Sequence, residues 1–311
     1  MLQSLFYILV FPGFLFLSTY GLVVEFIDRK LYAHFQNRIG PPWFQPLADF
    51  IKLISKEAII PAKADKLFFV ILPAFALASV STVILYIPIW DLSAVYSFKS
   101  DIIVVLYLLT IPTITFFIAG WISTSLYATL GSIRTLTQLF AYEVPLLMAL
   151  LGPALLAGSW SISEIAAFYT VNPLLALVNI PGFIVAIIAM QGKLERVPFD
   201  IPEAETEIVA GSFTEYSGRF LALFRMTIDI EMIVLISLIA AIFFPFWIPG
   251  SFILGIMMYL VKTLILVFIL ALIRALMARL RIEQMVNFCW KVLAPLAIFQ
   301  ILINLLAKGA I

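Results

Sequence analysis

The sequence predicts an all-α polytopic membrane protein with eight transmembrane helices. Hydrophobic residues make up 64% of the 311 residues and charged residues only 12%, which is too apolar for the single core of a water-soluble protein. Eight apolar segments are each long enough to cross a bilayer. They lie near residues 2–27, 67–90, 102–128, 135–157, 174–192, 220–247, 251–278 and 285–306. We therefore expect one integral membrane domain over residues 1–311.

The basic residues predict how the chain is oriented in a cell membrane. Of the 19 lysines and arginines, all except Lys99, Lys262 and Lys308 lie in or beside the loops after the first, third, fifth and seventh spans. Because cytoplasmic loops carry an excess of Lys and Arg, these loops are expected to be cytoplasmic and both termini to lie outside. The two long cytoplasmic loops cover about residues 28–66 and 193–219.

The first cytoplasmic loop is expected to contain a turn and a short amphipathic helix. At its start, Glu25 and Arg29 are spaced i,i+4 and can form an ion pair on one helix face. Gly40 permits a sharp turn, and the two prolines after it prevent a helix. Apolar residues then recur at helical spacing at Leu47, Phe50, Ile51 and Ile54. This spacing favours a helix that lies in the membrane interface as a lipid-surface anchor.

The fifth loop is a polar segment, residues 195–219, inside an apolar chain. Asp200, followed by Pro202 and Glu203, is typical of a helix N-terminus, so a helical loop is expected from there to about Ser212. The segment contains six carboxylates, at Glu195, Asp200, Glu203, Glu205, Glu207 and Glu215.

These carboxylates allow two interpretations. In a buried loop, repulsion between them would raise some of their pKa values, which suits proton exchange near neutral pH. In a solvated loop, they would pair with Lys193, Arg196 and Arg219. Charge alone favours the solvated loop.

Four charged residues lie inside the apolar segments. Glu143 lies nine residues, roughly 13 Å, beyond Arg134, and Lys262 lies near the middle of the seventh segment. Asp229 and Glu231 lie in the cytoplasmic half of the sixth. A charge at such depth costs about 2.5–3.5 kcal/mol on insertion scales, so one carboxylate is expected to pair with Lys262. Either a structural ion pair or a proton path would explain them, and the excess of carboxylates favours the proton path.

The composition limits the cofactors that this chain can bind. An iron–sulfur cluster needs several thiolates, whereas the only cysteine is Cys289. A bis-histidine haem is likewise excluded, because His34 is the only histidine. We therefore expect no metal and no redox cofactor on this chain.

Four motifs occur in order along the chain. They are Asp28-Arg-Lys with residues 36–41, Arg134 with residues 141–145, residues 195–211 with 215–218, and residues 279–285 with Trp290. Their residues and their order resemble the complex I membrane subunits that form the quinone chamber at the heel of that complex. The resemblance extends from the first span to the eighth.

The resemblance implies a subunit that anchors a hydrophilic electron-transfer arm and couples its reactions to H⁺ or Na⁺ movement. The implied acidic funnel, together with the charges inside the spans, gives a candidate proton path of Glu143, Glu195, Asp200, Glu203, Glu205, Glu207, Glu215, Asp229, Glu231 and Lys262. The implied interface with the hydrophilic arm comprises Asp28, Arg29, Lys30, Arg38, Arg134, Arg196, Arg219, Arg274, Arg279 and Arg281.

Departures from the quinone-using members indicate which kind of complex to expect. Asp28 stands where Glu is usual, residues 225–229 replace a usual Glu-Tyr pair, and Gly40-Pro-Pro replaces Gly-Pro-Asn. Gly-Pro-Pro resembles the homologous subunits of membrane-bound nickel–iron hydrogenases and of the related sulfane sulfur reductase. We therefore favour a ferredoxin-linked complex of that type.

The resemblance also implies the partners. They are a hydrophilic subunit that carries the terminal iron–sulfur cluster, a large hydrogenase-like subunit that could hold a nickel–iron centre, small membrane subunits and antiporter-like subunits. The remaining surface is expected to contact the lipid bilayer, and no nucleic-acid partner is expected.

Three alternatives differ in function. The first is the quinone-binding subunit of an NADH:quinone or related oxidoreductase. The second is a stand-alone secondary transporter, although no pair of broken helices occupies matching halves of the chain. The third is an intramembrane lipid-modifying enzyme, which one histidine and one cysteine disfavour.

Overall fold

The described part of the chain folds into an all-helical bundle, which confirms the predicted fold class. This computed structural model describes residues 2–244, 246 and 251–310, and it gives only the backbone at residues 2, 205, 206 and 310. Within that part, eight helical segments are long and apolar enough to cross a membrane. Spans one to eight are Gln3–Phe35, Lys66–Tyr86, Asp101–Ile122, Leu126–Ala157, Pro173–Lys193, Gly218–Phe243, Phe252–Leu276 and Ile282–Gly309.

Three spans consist of more than one helix. Span one contains Leu2–Leu9 and Phe14–Phe35. Span five contains Pro173–Ala176 and Ile180–Lys193, and span eight contains Ile282–Phe288 and Ala294–Ala310, joined by a wider turn at Cys289–Leu293. The shorter helices outside the spans include Gln45–Ser55, Ile162–Val171 and Glu205–Ile208.

The bend in span one requires a glycine. A Cβ atom at Gly13 would lie 1.9 Å from the carbonyl oxygen of Ile8, so a larger residue would force the two helices apart. The preceding Pro12 also lacks the amide hydrogen that would continue the helix. Together these residues end the first helix and allow the second to begin at Phe14.

Two spans extend further than hydropathy predicts. Span one continues to Phe35 rather than ending near residue 27, and span four begins at Leu126 rather than near residue 135. The predicted end of span one and the predicted start of span four both fall beside charged residues in the sequence. In the fold, Arg29 and Arg134 form ion pairs and remain within the helices, so the helices continue past them.

Span six lies at the centre of the bundle. Its most apolar 18-residue stretch is 78% buried, more than that of any other span. It packs against spans one, two and seven and against the helix Gln45–Ser55, while span four packs against spans three, five and eight. A residue on span six can therefore contact both membrane helices and the first loop.

Loops that the topology places on one side of the membrane do meet in space. The amide of Ile59 in the first loop donates to Ser217 Oγ at 3.0 Å, and the amide of Leu280 after span seven donates to the Pro198 carbonyl at 3.0 Å. At the opposite end, the Ala94 amide donates to Ser163 Oγ at 3.1 Å. The bundle therefore has a loop-rich end, formed by the first, fifth and seventh loops, and an opposite end.

The fifth loop does not form the continuous helix predicted from Asp200 to about Ser212. It contains one helical turn, Glu205–Ile208, and a short 3₁₀ segment, Gly211–Phe213. Val209 and Gly211 interrupt the helix because their φ angles, 63° and 53°, are in the left-handed region. The turn therefore begins after Ala204 rather than after Asp200.

Candidate functional site

A cavity of about 700 Å³ lies at the loop-rich end, between spans one and six, the helix Gln45–Ser55 and the fifth loop. Sixteen of its 25 lining residues are charged. The eight acids are Glu25, Asp28, Asp49, Glu195, Asp200, Glu203, Asp229 and Glu231, and the eight bases are Arg29, Lys52, Lys56, Lys193, Arg196, Arg225, Arg274 and Arg279. Such a density of charge inside an apolar chain makes this cavity the candidate functional site.

Small residues allow the fifth loop to reach the bundle interior beside this cavity. A Cβ atom at Gly131 of span four would lie 2.6 Å from the backbone of Gly211, and one at Gly120 of span three would lie 2.9 Å from Ser212 Cα. Side chains at these two positions would therefore push the loop outward. The side-chain amide of Gln138 also donates to the backbone carbonyls of Gly192 and Phe199, at 2.6 and 2.9 Å.

The deepest part of the site is an ion pair between Lys193 and Glu231. The two groups are 3.3 Å apart, and neither side chain is more than 1% exposed. Lys193 Nζ also donates to the Leu109 carbonyl of span three at 2.6 Å and lies 5.6 Å from the centre of the Tyr142 ring. Burying an ion pair is costly unless further polar contacts offset the lost hydration, and Lys193 has such contacts.

Two further carboxylates lie near this pair. Glu143 Oε2 and Glu195 Oε1 are buried and have no hydrogen-bond partner within the described residues. Burial raises the pKa of Glu195 well above its usual range, and the nearby carboxylates of Glu203 and Glu231 raise it further. For Glu195, the structure therefore supports the interpretation of a buried loop with a raised pKa.

Glu207 has a different environment from Glu195. Its side chain is 53% exposed and forms an ion pair with Arg134 at 2.6 Å. The hydrogen bond and the positive charge of Arg134 lower the pKa of Glu207. Glu207 therefore lies at the surface, outside the lining of the cavity.

Asp28 links span one to the fifth loop and to the end of span seven. Its carboxylate accepts hydrogen bonds from Arg196 at 3.0 Å and Arg274 at 2.9 Å, and its side chain is only 2% exposed. Arg274 in turn lies over the Tyr32 ring, 4.4 Å from its centre. The structure thus places Asp28, which the sequence assigned to the interface, inside the wall of the cavity.

Arg29 connects span one to the predicted amphipathic helix, which is present at Gln45–Ser55. Arg29 pairs with Glu25, as the i,i+4 spacing predicts, and also with Asp49 at 3.0 Å. Gln45 donates to the second oxygen of Asp49 at 2.8 Å. The helix is therefore attached to span one through polar contacts at the edge of the cavity.

The pairing of Glu203 differs from the one that the solvated-loop interpretation predicts. Glu203 pairs with Arg225 at 3.2 Å rather than with a basic residue of its own loop. Asp229 of span six and Glu25 of span one both line the cavity and are close enough to interact electrostatically. An acidic side chain of the loop thus forms an ion pair with a basic side chain of a membrane helix.

Lys262 is not the ion-pair partner of Glu231 in the structure. Lys193 fills that role, and Lys262 Nζ donates to the Phe244 carbonyl at 3.1 Å near the opposite end of the bundle. The sequence-based proton path lacks Lys193, because its position at the start of the fifth loop indicates a loop base. Its place at the C-terminus of the helix Ile180–Lys193 is the signal that could have identified it, since a lysine there can extend into the bundle.

The other predicted residues fall into two groups. Asp200 lines the cavity together with Arg196 and Arg279, whereas Lys30 and Glu215 do not line it. Of the bases predicted for the interface, those that are exposed are Arg38, Arg219, Arg279 and Arg281. The side chain of Glu205 lies outside the described part of the structure.

Comparisons with known proteins identify the family. The family model described as NADH dehydrogenase matches residues 7–305. One NADH-quinone oxidoreductase subunit, from Brevibacillus brevis, is 36% identical over 293 residues, which cover 90% of this chain and 86% of that protein. The corresponding protein of Dehalococcoides mccartyi strain 195 is 35% identical over 304 residues, covering 96% and 85%.

The fold is also similar to that of a solved membrane complex. A chain in the structure of the membrane-bound sulfane sulfur reductase, described as an archaeal respiratory membrane complex, superposes with a TM-score of 0.85. The match covers 97% of this chain and 98% of that chain at 24% sequence identity, so it shows a shared fold.

Proposed function

This chain belongs to the NADH dehydrogenase family of complex I-type membrane subunits, and from that premise we propose a specific role for it. It is the non-redox membrane anchor and coupling subunit of a ferredoxin-linked energy-converting complex. Electron transfer takes place in the hydrophilic arm, and this subunit links it to H⁺ or Na⁺ translocation. The complex is of the membrane-bound hydrogenase or sulfane sulfur reductase type.

The observation that carries this proposal is the buried Lys193–Glu231 pair in a charged cavity beneath the loop-rich end. Charges interact strongly where water is scarce, so a proton gained or lost at Glu195 changes the electrostatic potential at this pair. Glu143, on span four, provides a further carboxylate toward the membrane interior. Such a series of groups can turn a charge change at the cytoplasmic loops into proton movement inside the membrane.

The composition of the cavity favours an acceptor other than quinone. Pockets for apolar ligands are lined mainly by hydrophobic and aromatic side chains, whereas sixteen of the 25 lining residues here are charged. The solved structure with the similar fold belongs to a sulfane sulfur reductase. Both observations favour reduction of protons or sulfane sulfur on a partner subunit.

A quinone-binding role is the second candidate, because the curated relatives are subunits of NADH-quinone oxidoreductases. Purification of the chain from its native membrane in mild detergent would distinguish the candidates. A large assembly that contains nickel supports the hydrogenase type. A nickel-free assembly that reduces sulfane sulfur supports the other preferred type, and one that reduces quinone overturns the preference. A monomer without partners would contradict the coupling role itself.

The partners are proposed to bind at the loop-rich end. The exposed bases Arg38, Arg219, Arg279 and Arg281 suit an acidic surface on the hydrophilic subunit, which would carry the terminal iron–sulfur cluster beside the large hydrogenase-like subunit. Any nickel–iron centre belongs to those partners, since one cysteine cannot supply such a ligand set. Small membrane subunits and antiporter-like subunits would pack against the apolar faces of the spans.

The orientation follows from the same arrangement. The loop-rich end would face the cytoplasm, because it carries most of the basic residues, and both termini would lie outside. The hydrophilic arm would then bind on the cytoplasmic side of the cell membrane.

The coupling role is tested by replacing Glu143 with glutamine in the intact complex. Glu143→Gln preserves shape but cannot release a proton, so ion translocation per electron should fall while the complex still assembles. Glu207→Gln is the matched control, because Glu207 is exposed and paired with Arg134 at the surface. Ion uptake into vesicles and electron transfer are measured together. Wild-type translocation by Glu143→Gln would contradict the proton path and favour a structural role.

A further inference from the structure

A second group of buried polar side chains lies between spans one, six and seven, away from the large cavity. The hydroxyl groups of Ser237 and Tyr259 are 2.8 Å apart, and those of Tyr20 and Thr263 are 2.5 Å apart. All four side chains are at most 9% exposed. These two hydroxyl pairs bring polar groups into the apolar centre of the bundle.

Lys262 lies at the end of this group that faces the opposite side of the membrane. It follows Tyr259 by three residues, so the two side chains share a face of span seven. Ser237, Tyr259 and Lys262 line a small cavity of about 30 Å³ together with the exposed Asp91. That volume can accommodate a water molecule. Ser237, Tyr259, Lys262 and the exposed Asp91 therefore share one cavity that a water molecule can fill.

On the other side of the group is the acidic pair Glu25 and Asp229, which lines the large cavity. Asp229, Ile233 and Ser237 are spaced i, i+4 and i+8 and therefore share one face of span six. Each step along this face is about 6 Å. Ile233 Cδ1 lies 3.5 Å from the point that a Cβ atom of Gly21 would occupy. Ile233 is thus the apolar residue between Asp229 and Ser237 on this face of span six.

We propose that Ser237, Tyr259 and Lys262 form the outer half of a proton route through this subunit, which Ile233 closes on the side of Glu25 and Asp229. Each hydroxyl group accepts one proton and releases another, so it ends a transfer uncharged. The ammonium group of Lys262 can release its proton to water beside Asp91 and regain one from Tyr259. Its positive charge repels metal cations, so the route carries protons rather than Na⁺.

The simpler role for Lys262 is to satisfy a carbonyl group at the end of span six. Lys308 makes a similar contact at an exposed position, where its Nζ donates to the Leu155 carbonyl at 3.0 Å. Lys308→Met is therefore a matched control for Lys262→Met. Both substitutions remove a lysine–carbonyl contact, but only one removes the proposed relay group.

The route is tested by placing a hydroxyl group in the gap at position 233. Ile233→Thr and Ile233→Val create side chains of nearly the same shape, but only threonine can relay a proton. The whole complex containing each variant is reconstituted into liposomes that enclose a pH-sensitive dye, and a pH gradient is imposed without an electron donor. Because no turnover takes place, the result is independent of the proposed coupling function.

We expect Ile233→Thr to increase the proton leak several-fold over wild type and Ile233→Val to leave it unchanged. Adding Lys262→Met to Ile233→Thr should return the leak to the wild-type rate, whereas adding Lys308→Met should not. Equal leaks from the threonine and valine variants would overturn the route, as would a leak that survives Lys262→Met. If Ile233→Thr does not assemble, Gly21→Ser places a hydroxyl group in the same gap from span one, and the same comparisons apply.

Discussion

Removing Lys193 should destabilise the complex strongly, because Glu231 would remain in an apolar environment without its cation. Both side chains are essentially inaccessible, and Lys193 also satisfies the Leu109 carbonyl. Breaking a buried ion pair by deleting one partner costs about 3–5 kcal/mol. The hydrogen bond from the charged Lys193 ammonium group to the Leu109 carbonyl is also lost. A hydrogen bond that involves a charged group contributes about 1.5–3 kcal/mol. Protonation of Glu231 would reduce the total, so we expect Lys193→Met to cost about 3–5 kcal/mol.

The double variant distinguishes the ion pair from simple packing. Replacing both members of a buried pair with hydrophobic residues of similar volume is often nearly neutral. We therefore expect Lys193→Met with Glu231→Met to recover most of the loss that Lys193→Met causes alone. The measurement is the melting temperature of the purified complex in detergent, together with the yield of assembled complex. A double variant no more stable than Lys193→Met would refute this account of the pair.

Three further predictions concern the fifth loop. The first is Glu195→Gln. Because the pKa of Glu195 is raised, the folded wild type binds more protons than the unfolded chain, and its stability falls as pH rises from the usual Glu pKa to the raised value. Melting temperatures measured across this pH range should therefore fall less steeply in the variant. The second is Glu207→Gln. Because the pKa of Glu207 is lowered, its pair with Arg134 stabilises the fold above the usual Glu pKa, and this stabilisation is lost as pH falls. The pair is exposed, so melting curves at neutral pH should show that the variant loses only about 0.2–1 kcal/mol. The third is Gly131→Ala, which would place a Cβ atom 2.6 Å from the Gly211 backbone and should displace the loop and reduce assembly. In the control Gly21→Ala, the nearest contact of the new Cβ atom is 3.5 Å, so this variant should assemble normally. Size-exclusion chromatography of the two complexes compares their assembly.

The sequence predicts the membrane fold well because each span must by itself be long and apolar enough to cross the bilayer. Apolar length identifies all eight spans, and helical spacing identifies the helix Gln45–Ser55. The fifth loop is predicted less well. Its path depends on close contact with Gly131 and on the left-handed backbone at Val209 and Gly211, which no local periodicity reveals.

The candidate site is predicted as a region but not as a network. The sequence gathers the carboxylates near the fifth loop, but it cannot show which cation each one meets across the bundle. Glu203 meets Arg225, Glu207 meets Arg134, and Asp28 meets two arginines that lie far away in the sequence. These pairings come from helix packing, which brings together residues that are distant in the sequence.

The equal number of acids and bases in the large cavity makes it sensitive to single charges. With eight of each, the fully ionised lining has no net charge, so gain or loss of one proton changes the local balance. Two unit charges 4 Å apart interact by about 4 kcal/mol at an effective dielectric constant of 20. An energy of that size shifts a proton-binding equilibrium by roughly a thousandfold, since about 1.4 kcal/mol corresponds to tenfold. A single charge change beside Lys193 and Glu231 would therefore shift proton binding at a group about 4 Å away by a similar factor.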